Sequence, residues 1–345
     1  MTRVPLLPTE FRLVDWILGR SKDAKYNLSN SGLPEPPLAE LGVDTSFEAF
    51  SKEKDVHERV LAETVARIYR VEAKNVVVTS GASEAIFLAF SVLGKGSAVV
   101  PVPNYEPMLS VPRWLGMKVG HSLDGAVRPG AVYGLTDPNN PTGARLGSAA
   151  LDRLGEISKK APVFVNETYG GFAFEEPATL HSRLDDVVTC SSMTKFYGLG
   201  RLRVGWMIAD AKRAGLLRRG KKLLSGHDSE YSLWLARQVL EKRGPFVERA
   251  RRTYEENLAA VRRFARRGLG VSAELSGAAP FRLFRYEGGP NSVSFAKALL
   301  AHRSVLVGPG DFFGAPRSFR LCFTSPRDEL EAGLEELAAF LDDRR

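Results

Sequence analysis

Lys195 lies within the string Ser192-Met193-Thr194-Lys195, and Arg203 follows shortly afterwards. A lysine amine becomes a nucleophile when burial or neighbouring cations suppress its charge. The hydroxyls of Ser192 and Thr194, together with the guanidinium of Arg203, are donors that bind a phosphate by charge-assisted hydrogen bonds. An isolated string of this kind is more often a surface loop, so its interpretation depends on what accompanies it. The string predicts covalent chemistry at an amine that lies beside a bound phosphate.

Small residues follow a short β-branched run in segment 79–84. The backbone N–H groups of Gly81 and Ala82, at the N-terminus of a predicted helix, can converge on an anion, and Ser83 adds a hydroxyl. Such residues also occur in ordinary strand-to-helix turns, so this segment supports a phosphate site only together with the other motifs. Tyr105 follows the next strand and a rigid proline-containing turn. Its ring could lie flat on a heteroaromatic ring, or it could fill a gap between two lobes.

The most specific string in the chain is Asp137-Pro138-Asn139-Asn140-Pro141-Thr142-Gly143. Its prolines restrict the backbone, and Gly143 permits an unusual turn. In that turn Asn140 would present a side-chain amide that can donate a hydrogen bond to a ring oxygen. The string therefore predicts a binding turn after a buried strand.

Polar side chains also accompany two other apolar strands. Asn166 and Tyr169 come at and after the end of one of them, and Arg320 stands alone within the other. A buried arginine needs an anion, since an unpaired buried charge is costly. That anion could belong to a structural ion pair or to the α-carboxylate of an amino acid. The accompanying motifs favour the carboxylate.

Strand-like and helical segments alternate up to about residue 225. This alternation predicts an α/β fold in which a parallel sheet carries helices on both faces. Ligands in such sheets bind at the carboxyl ends of the strands, which is where these motifs lie. The segments include strands at 75–79, 97–102, 132–136, 162–165, 187–189 and 204–208, and helices at 82–93 and 148–160.

Beyond residue 225 the pattern changes to long helices and two further strands, which predicts a smaller α+β lobe. We expect helices at 231–242, 246–267 and 329–341, and strands at 281–284 and 319–323. The predicted domains are an N-terminal segment (1–44) at the domain boundary, a large domain (45–225) and a small C-terminal domain (226–345).

Composition excludes several classes of protein. The chain has 345 residues, 44% of them hydrophobic, with a formal net charge of +8. It has no secretory h-region and no apolar run long enough to cross a bilayer, so we expect a cytoplasmic protein without a membrane partner. The basic residues interleave with Glu255 and Glu256 and accompany no nucleic-acid-binding signature, so we expect no nucleic-acid partner. Cys190 and Cys322 lack zinc spacing, and no metal is expected.

Together these motifs resemble the class I/II aminotransferases among the fold-type I pyridoxal-phosphate enzymes. The resemblance runs through nearly the whole chain in the family's order. It implies a large domain with a mostly parallel, seven-stranded sheet flanked by helices and a smaller α+β domain. It also implies pyridoxal 5'-phosphate as the cofactor and a homodimer as the assembly.

The resemblance also implies a role for each residue of the motifs. Lys195 matches the lysine that forms a Schiff base with the cofactor, and Arg320 matches the carboxylate-binding arginine. Gly32, in the segment 28–32, would face the substrate, and Asn140 would contact the substrate as well as the cofactor. The residues matching the family's cofactor contacts are Gly81, Ala82 and Ser83 in the phosphate cup, Tyr105 on the ring, Asn140 and Tyr169 at the ring oxygen, Asn166 at the ring nitrogen, and Ser192, Thr194 and Arg203 at the phosphate.

Two positions depart from the family pattern. Asn166 stands where the family has an aspartate, whose charge keeps the ring nitrogen protonated and makes the ring a strong electron sink. The adjacent Glu167 should point to the opposite face of the strand, unless a bulge rotates it inward. Segment 47–54 contains only Phe47 and Phe50 where the family often supplies a tyrosine to a neighbouring subunit's phosphate.

The expected activity is transfer of an amino group between an L-amino acid and a 2-oxo acid through the Lys195 Schiff base. Lys195 would act as general base at Cα and then as general acid. Asn166 keeps a second reading open, a lyase, decarboxylase, racemase or cyclase that acts on an amino acid. A regulatory protein with a degraded site is a third reading, disfavoured because Lys195 is intact. The side chain of the substrate cannot be read from the sequence.

Overall fold

Thirteen strands and eleven α-helices make up the part of the chain that the computed structural model describes, residues 10–54 and 56–344. The strands are β1 (Tyr26–Asn27), β2 (Val76–Thr79), β3 (Ser97–Val99), β4 (Lys118–Gly120), β5 (Ala131–Thr136), β6 (Val163–Asn166), β7 (Val187–Ser192), β8 (Gly205–Ile208), β9 (Val271–Ser272), β10 (Phe281–Tyr286), β11 (Val305–Leu306), β12 (Gly308–Pro309) and β13 (Ser318–Cys322). The helices are α1 (Arg12–Arg20), α2 (Phe47–Lys52), α3 (His57–Tyr69), α4 (Ala82–Leu93), α5 (Glu106–Trp114), α6 (Ser148–Ser158), α7 (Ala211–Leu224), α8 (Glu230–Glu241), α9 (Arg243–Ala265), α10 (Ser292–Arg303) and α11 (Arg327–Asp342).

A seven-stranded sheet forms the centre of the molecule, in the order β2-β8-β7-β6-β5-β3-β4. All its neighbouring pairs are parallel except those of β8, which runs antiparallel to both β2 and β7. Every residue of β2, β5, β6 and β8 is buried, as expected for strands that are covered on both faces. The predicted α/β class is therefore confirmed.

Helices cover the sheet because alternate strand residues point to opposite faces. On one face Phe164 of β6 packs in a core with α4 and α7. On the other face, Val163 and Val165 pack with α6, and Trp206 of β8 packs with α3 and α8. Helix α8 thus shares a core with the central sheet, although it lies beyond residue 225. The predicted domain boundaries stay a prediction.

A second, four-stranded sheet has the order β12-β13-β10-β9 and is antiparallel throughout. Its apolar side chains share a core with α9, α10 and α11. Phe284, Phe295 and Phe319 stack nearly parallel within it, with ring centroids 5.2 to 5.6 Å apart. This sheet holds Arg320 with its side chain in the interior.

The N-terminal segment links the two sheets. After β1 pairs with β11, Leu28 accepts a backbone hydrogen bond from Cys322 of β13 (2.8 Å). Further along, Leu33 donates to the carbonyl of Lys195 (2.9 Å). Residues 28–33 therefore lie between the small sheet and the strand ends of the large sheet. No helix within residues 10–54 and 56–344 is both long and apolar enough to cross a membrane.

Candidate active site

Lys195 lies just beyond the carboxyl end of β7, where the N-terminal segment crosses it. A Cβ atom added to Gly32 would be 3.2 Å from the carbonyl oxygen of Thr194 and 3.4 Å from Cδ of Lys195. The first distance is shorter than ordinary van der Waals contact, and the second is at the lower limit of such contact. The structure thus brings Gly32 against the lysine stem, and its role in facing a substrate stays a prediction.

The amine of Lys195 has an unusual environment for a lysine. Burial lowers its pKa from 10.5 to about 8, and the positive charges of Arg320 and Arg203 act in the same direction. No hydrogen bond or ion pair holds the amine within the described part of the chain. A lysine whose pKa lies this close to neutral can serve both as a nucleophile and as a base.

An anion cup forms where β2 and β7 end and β8 begins. Gly81 has a φ of +81°, and a Cβ there would be 2.9 Å from Nη2 of Arg203, so only glycine leaves this space free. Arg203 is held by the carbonyl of Ser80, which accepts from Nη2 at 3.1 Å. Gly205 lies opposite Ser192 in the sheet register and packs against Gly81, which brings the motifs together.

The same cup includes the first turn of α4, which begins at Ala82, and the exposed residue Ser83. Free N–H groups at a helix N-terminus, hydroxyls and one guanidinium form a donor set suited to a phosphate. Thr194, partly buried, donates its backbone N–H to the hydroxyl of Ser192 (3.4 Å). Every residue predicted for the phosphate therefore lies at or beside this cup.

A buried ion pair beneath the cup was missed at the sequence level. Lys221 and Asp228, whose side chains are 3% and 4% exposed, form a salt bridge. The hydroxyl of Ser80 donates to the other oxygen of Asp228 at 2.8 Å, and its N–H donates to Glu84 at 2.6 Å. The ion pair thus fixes the residue that precedes Gly81. Its only signal in the sequence was a charged pair near the end of a basic helix.

Arg320 extends from β13 and is 1% exposed. Its Nη1 donates to Oδ1 of Asn140 (2.9 Å) and its Nη2 to the carbonyl of Ser29 (2.9 Å), while Nε is enclosed and has no partner. Within the described residues no carboxylate pairs with this guanidinium, so it is not a structural ion pair. A buried guanidinium with a free donor fits a carboxylate supplied by a ligand.

The turn that carries Asn140 is rigid. Asn139 donates to the carbonyl of Pro103 (3.0 Å) and accepts from the backbone N–H and hydroxyl of Thr142 (3.2 and 2.8 Å). Gly143, with a φ of +79°, approaches the small sheet so closely that a Cβ would be 2.8 Å from Arg282. Since Arg320 occupies Oδ1 of Asn140, the Nδ2 of this amide remains available as a donor.

Two tyrosines lie near Arg320. The hydroxyl of Tyr169 bonds with that of Ser31 (2.9 Å), and its ring packs edge-on against Phe281 (4.8 Å between centroids). Burial raises the pKa of Tyr169 to about 12, so it is a neutral hydroxyl at physiological pH. Tyr105 is held at its backbone by the side chain of Asn104 (2.8 Å), and burial likewise raises its pKa.

Asn166 ends β6 and is 3% exposed. Its Oδ1 accepts from the backbone N–H of Thr168 (3.1 Å) and from the hydroxyl of that residue (2.6 Å). Glu167 lies on the opposite face of the sheet, where it accepts from the N–H of Leu180 (2.8 Å) and lines a cavity of about 390 Å³ with Tyr69. Burial raises the pKa of Glu167 to about 8. No bulge turns this carboxyl inward, so it does not replace the family's aspartate.

The segment that lacks the family's tyrosine is partly exposed. Phe47 has 69% of its surface exposed, and its ring contacts Phe50 and Tyr231. Phe50 packs onto Trp234 of α8. Neither phenylalanine carries a group that could bind a phosphate.

Comparisons with known proteins agree with this arrangement. The model of the family described as aminotransferase class I and II matches residues 128–337. The chain is 27% identical to capreomycidine synthase of Streptomyces vinaceus, over 99% of this chain and 96% of that protein.

The fold is also similar to solved structures. One is a PLP-dependent aminotransferase from Streptococcus suis 89-1591, with a TM-score of 0.87 and 23% identity, covering 97% of this chain and 98% of that one. Another is the PLP-dependent cyclase OrfR, with a TM-score of 0.87 and 24% identity over the whole of both chains. At these identities the structural likeness establishes the fold alone.

Proposed function

This chain belongs to the class I and II aminotransferases, whose members use pyridoxal 5'-phosphate, and on that premise we propose that it is an aminotransferase. It would move an amino group between an L-amino acid and a 2-oxo acid. The observation that carries the proposal is the enclosed, unpartnered Nε of Arg320, in a guanidinium close enough to lower the pKa of Lys195. The guanidinium of Arg320 would bind a carboxylate, and the amine of Lys195 would be a base beside it.

The residues present fit the cofactor. When bound, it supplies an aldehyde that condenses with an amine and a ring that takes up the electron pair released at Cα. Lys195 would carry the covalent link, and the glycine at position 81 leaves room for the phosphate beside Arg203. The remaining contacts that we propose are Ala82, Ser83, Ser192 and Thr194 at the phosphate, Tyr105 on the ring, Asn140 and Tyr169 at the ring oxygen, and Asn166 at the ring nitrogen.

Arg320 would hold the α-carboxylate of the amino acid. Asn140 and the carbonyl of Ser29 fix its guanidinium from two sides, so its orientation is set before the substrate arrives. The ring of Phe313 lies 4.9 Å from the guanidinium carbon and keeps water from that side. Gly32 leaves the space in front of the lysine open to the substrate.

Lys195 would then act on the proton at Cα. Its pKa of about 8 leaves a useful fraction of the amine uncharged near neutral pH, so it can accept this proton and release it again. Where the proton is returned decides the product. Return of the proton to Cα would regenerate an amino acid, whereas release of the proton elsewhere, followed by hydrolysis of the carbon–nitrogen bond, would free a 2-oxo acid.

A second candidate is a lyase, decarboxylase, racemase or cyclase that acts on an amino acid. Asn166 favours it, because an amide cannot stabilise a positive ring nitrogen by charge. The names of two similar proteins, a capreomycidine synthase and a PLP-dependent cyclase, point the same way. In this candidate Lys195 and Arg320 keep the same tasks, and only the fate of the substrate differs.

An absorbance spectrum of protein supplied with pyridoxal 5'-phosphate distinguishes these functions. If the proposal is right, one amino acid in a panel converts the cofactor band into that of pyridoxamine 5'-phosphate, and the matching 2-oxo acid reverses the change. If instead the panel amino acid is consumed and no pyridoxamine 5'-phosphate forms, the second candidate is correct. A spectrum without a cofactor band, unchanged by Lys195→Ala, would reject both.

We further propose a cytoplasmic homodimer. Several large apolar side chains are exposed on the large-domain surface, among them Phe47 at 69% and Leu223 at 91%. Such side chains are more common at subunit contacts than on free surfaces. Light scattering of the purified protein should give twice the mass of one chain, and a monomeric mass at micromolar concentration would contradict this.

A further inference from the structure

We propose that Asn166 donates a hydrogen bond from Nδ2 to the cofactor's ring nitrogen and thereby keeps that nitrogen unprotonated. This inference rests on the proposed function, since it requires the cofactor. It concerns the one site residue that departs from the family pattern. The sequence left two possibilities open, since an amide could donate to a neutral nitrogen or accept from a protonated one.

The contacts of Thr168 decide the orientation of the amide. A backbone N–H can only donate, so the atom of Asn166 that lies 3.1 Å from the Thr168 nitrogen must be the acceptor Oδ1. The Thr168 hydroxyl lies 2.6 Å from the same oxygen and donates to it as well. Reversing the amide would place its NH₂ against that N–H, donor to donor. The oxygen is thus committed to Thr168, and Nδ2 is the free end.

The surroundings of Asn166 supply no charge. Its register neighbours on the two adjacent strands are Thr136 and Cys190. The Thr136 hydroxyl donates to Asn104 (2.7 Å), and the Cys190 thiol lies 3.6 Å from Oδ1 of Asn166. Burial raises the pKa of Cys190, so this thiol is neutral.

Acceptors for the free nitrogen are missing as well. No described residue accepts a hydrogen bond from Nδ2 of Asn166, although the residue is 97% buried. The nearest carboxyl in sequence, Glu167, is bonded to Leu180 on the other face of the sheet. Nδ2 is also not among the enclosed atoms without a partner, so a ligand can reach it, and an accessible amide donor in an otherwise buried residue fits a ligand that presents a lone pair. An unprotonated ring nitrogen presents one.

This arrangement would limit the ring as an electron sink. A neutral ring accepts less of the electron pair released at Cα than a protonated one. We therefore expect amino-group transfer by this chain to be slower than it would be with an aspartate at position 166. Asn166→Asp should have the opposite effect and keep the ring nitrogen protonated, because a carboxylate can accept hydrogen bonds from both donors of Thr168 and still face the ring nitrogen.

Nitrogen-15 NMR of protein loaded with cofactor labelled at the ring nitrogen tests the inference directly. Free cofactor, titrated across its own ring-nitrogen pKa, provides the protonated and unprotonated reference shifts. We expect the wild-type resonance to stay at the unprotonated position from pH 6 to 8.5. Asn166→Asp should move it to the protonated position and tighten cofactor binding roughly tenfold, because hydrogen bonds to charged groups are stronger. Thr168→Val keeps the backbone N–H that orients the amide, so its resonance should stay unprotonated.

The outcomes separate the two proposals. A wild-type resonance at the protonated position, in protein that holds the cofactor at Lys195, would overturn the inference and leave the proposed function intact. Protein that fails to take up the cofactor, with a spectrum unchanged by Lys195→Ala, would overturn both. The wild-type measurement stands even if the aspartate variant does not fold.

Discussion

Replacing Lys195 with methionine should stabilise the cofactor-free protein, because this lysine is held without a partner for its charge. Burial and two arginines lower its pKa from 10.5 to about 8. The unfolded chain therefore binds the lysine proton more tightly than the folded one. Wild-type protein gains stability as the pH rises from about 8 to about 10.5, and this gain is absent below pH 8. Methionine has a similar volume and no proton to bind.

The pKa difference sets the size of the effect. Lowering the pKa from 10.5 to about 8 corresponds to about 3 kcal/mol in the free energy of unfolding. Because Lys195 is only partly buried, solvent screening makes this an upper limit. We expect the free energy of unfolding of Lys195→Met to exceed that of wild type by about 2 to 3 kcal/mol at pH 7 and by about 1 kcal/mol at pH 9.5.

Urea unfolding of both cofactor-free proteins at the two pH values measures this difference. Lys221→Met is the matched control, because Lys221 is also buried but pairs with Asp228. Its loss leaves an unpaired buried carboxylate and should destabilise the protein by about 3 to 5 kcal/mol. The reasoning fails if Lys195→Met is no more stable than wild type at pH 7, or if its advantage does not shrink at pH 9.5.

Three further substitutions test the rest of the site. Gly81→Ala places a Cβ 2.9 Å from Arg203 at a φ of +81°, and it should weaken cofactor binding at least tenfold in a fluorescence titration. The control is Gly96→Ala, which has a φ of +87° but open space around the added Cβ. It shares the backbone strain and should bind the cofactor as tightly as wild type. Arg320→Lys loses the planar fork and should raise the amino-acid Kd by roughly 10- to 100-fold in a spectral titration, so an unchanged Kd would place the carboxylate elsewhere. Gly32→Ala crowds the lysine stem at 3.4 Å and should lower kcat more than cofactor affinity, whereas equal losses in both would argue against a role in front of the lysine.

Local patterns predicted the elements well. The helix expected at 82–93 has the same bounds as α4, and the strand expected at 132–136 is β5, which begins one residue earlier. Apolar runs of strand length between turn signals are set by short-range physics, so the sequence reveals them. The direction of β8 was not visible in this way, because an antiparallel strand within a mostly parallel sheet has the same apolar pattern as its neighbours.

Long-range pairs were beyond sequence reasoning. The anion expected at Arg320 stays a prediction, and the bond of this residue to Asn140 joins positions 180 residues apart. Lys221 stands in a run of basic residues, and such runs usually form solvated faces, so its buried pairing with Asp228 was not visible in the sequence. Strand alternation did predict that Glu167 points away from the ring side, and the structure confirms it.

The N-terminal segment 28–33 has a consequence for the order in which this protein assembles during synthesis. Its carbonyls at Ser29 and Asn30 accept hydrogen bonds from Arg320 and Thr324, which are synthesised about 290 residues later. The anion cup around residue 81 and the lysine loop emerge much earlier, and domains generally fold as units during synthesis. A nascent chain can therefore build the half of the site that would hold a phosphate while the half that would hold an amino acid does not yet exist. Ribosomes stalled before residue 318 would carry chains of this kind, able to take up a cofactor and unable to select a substrate.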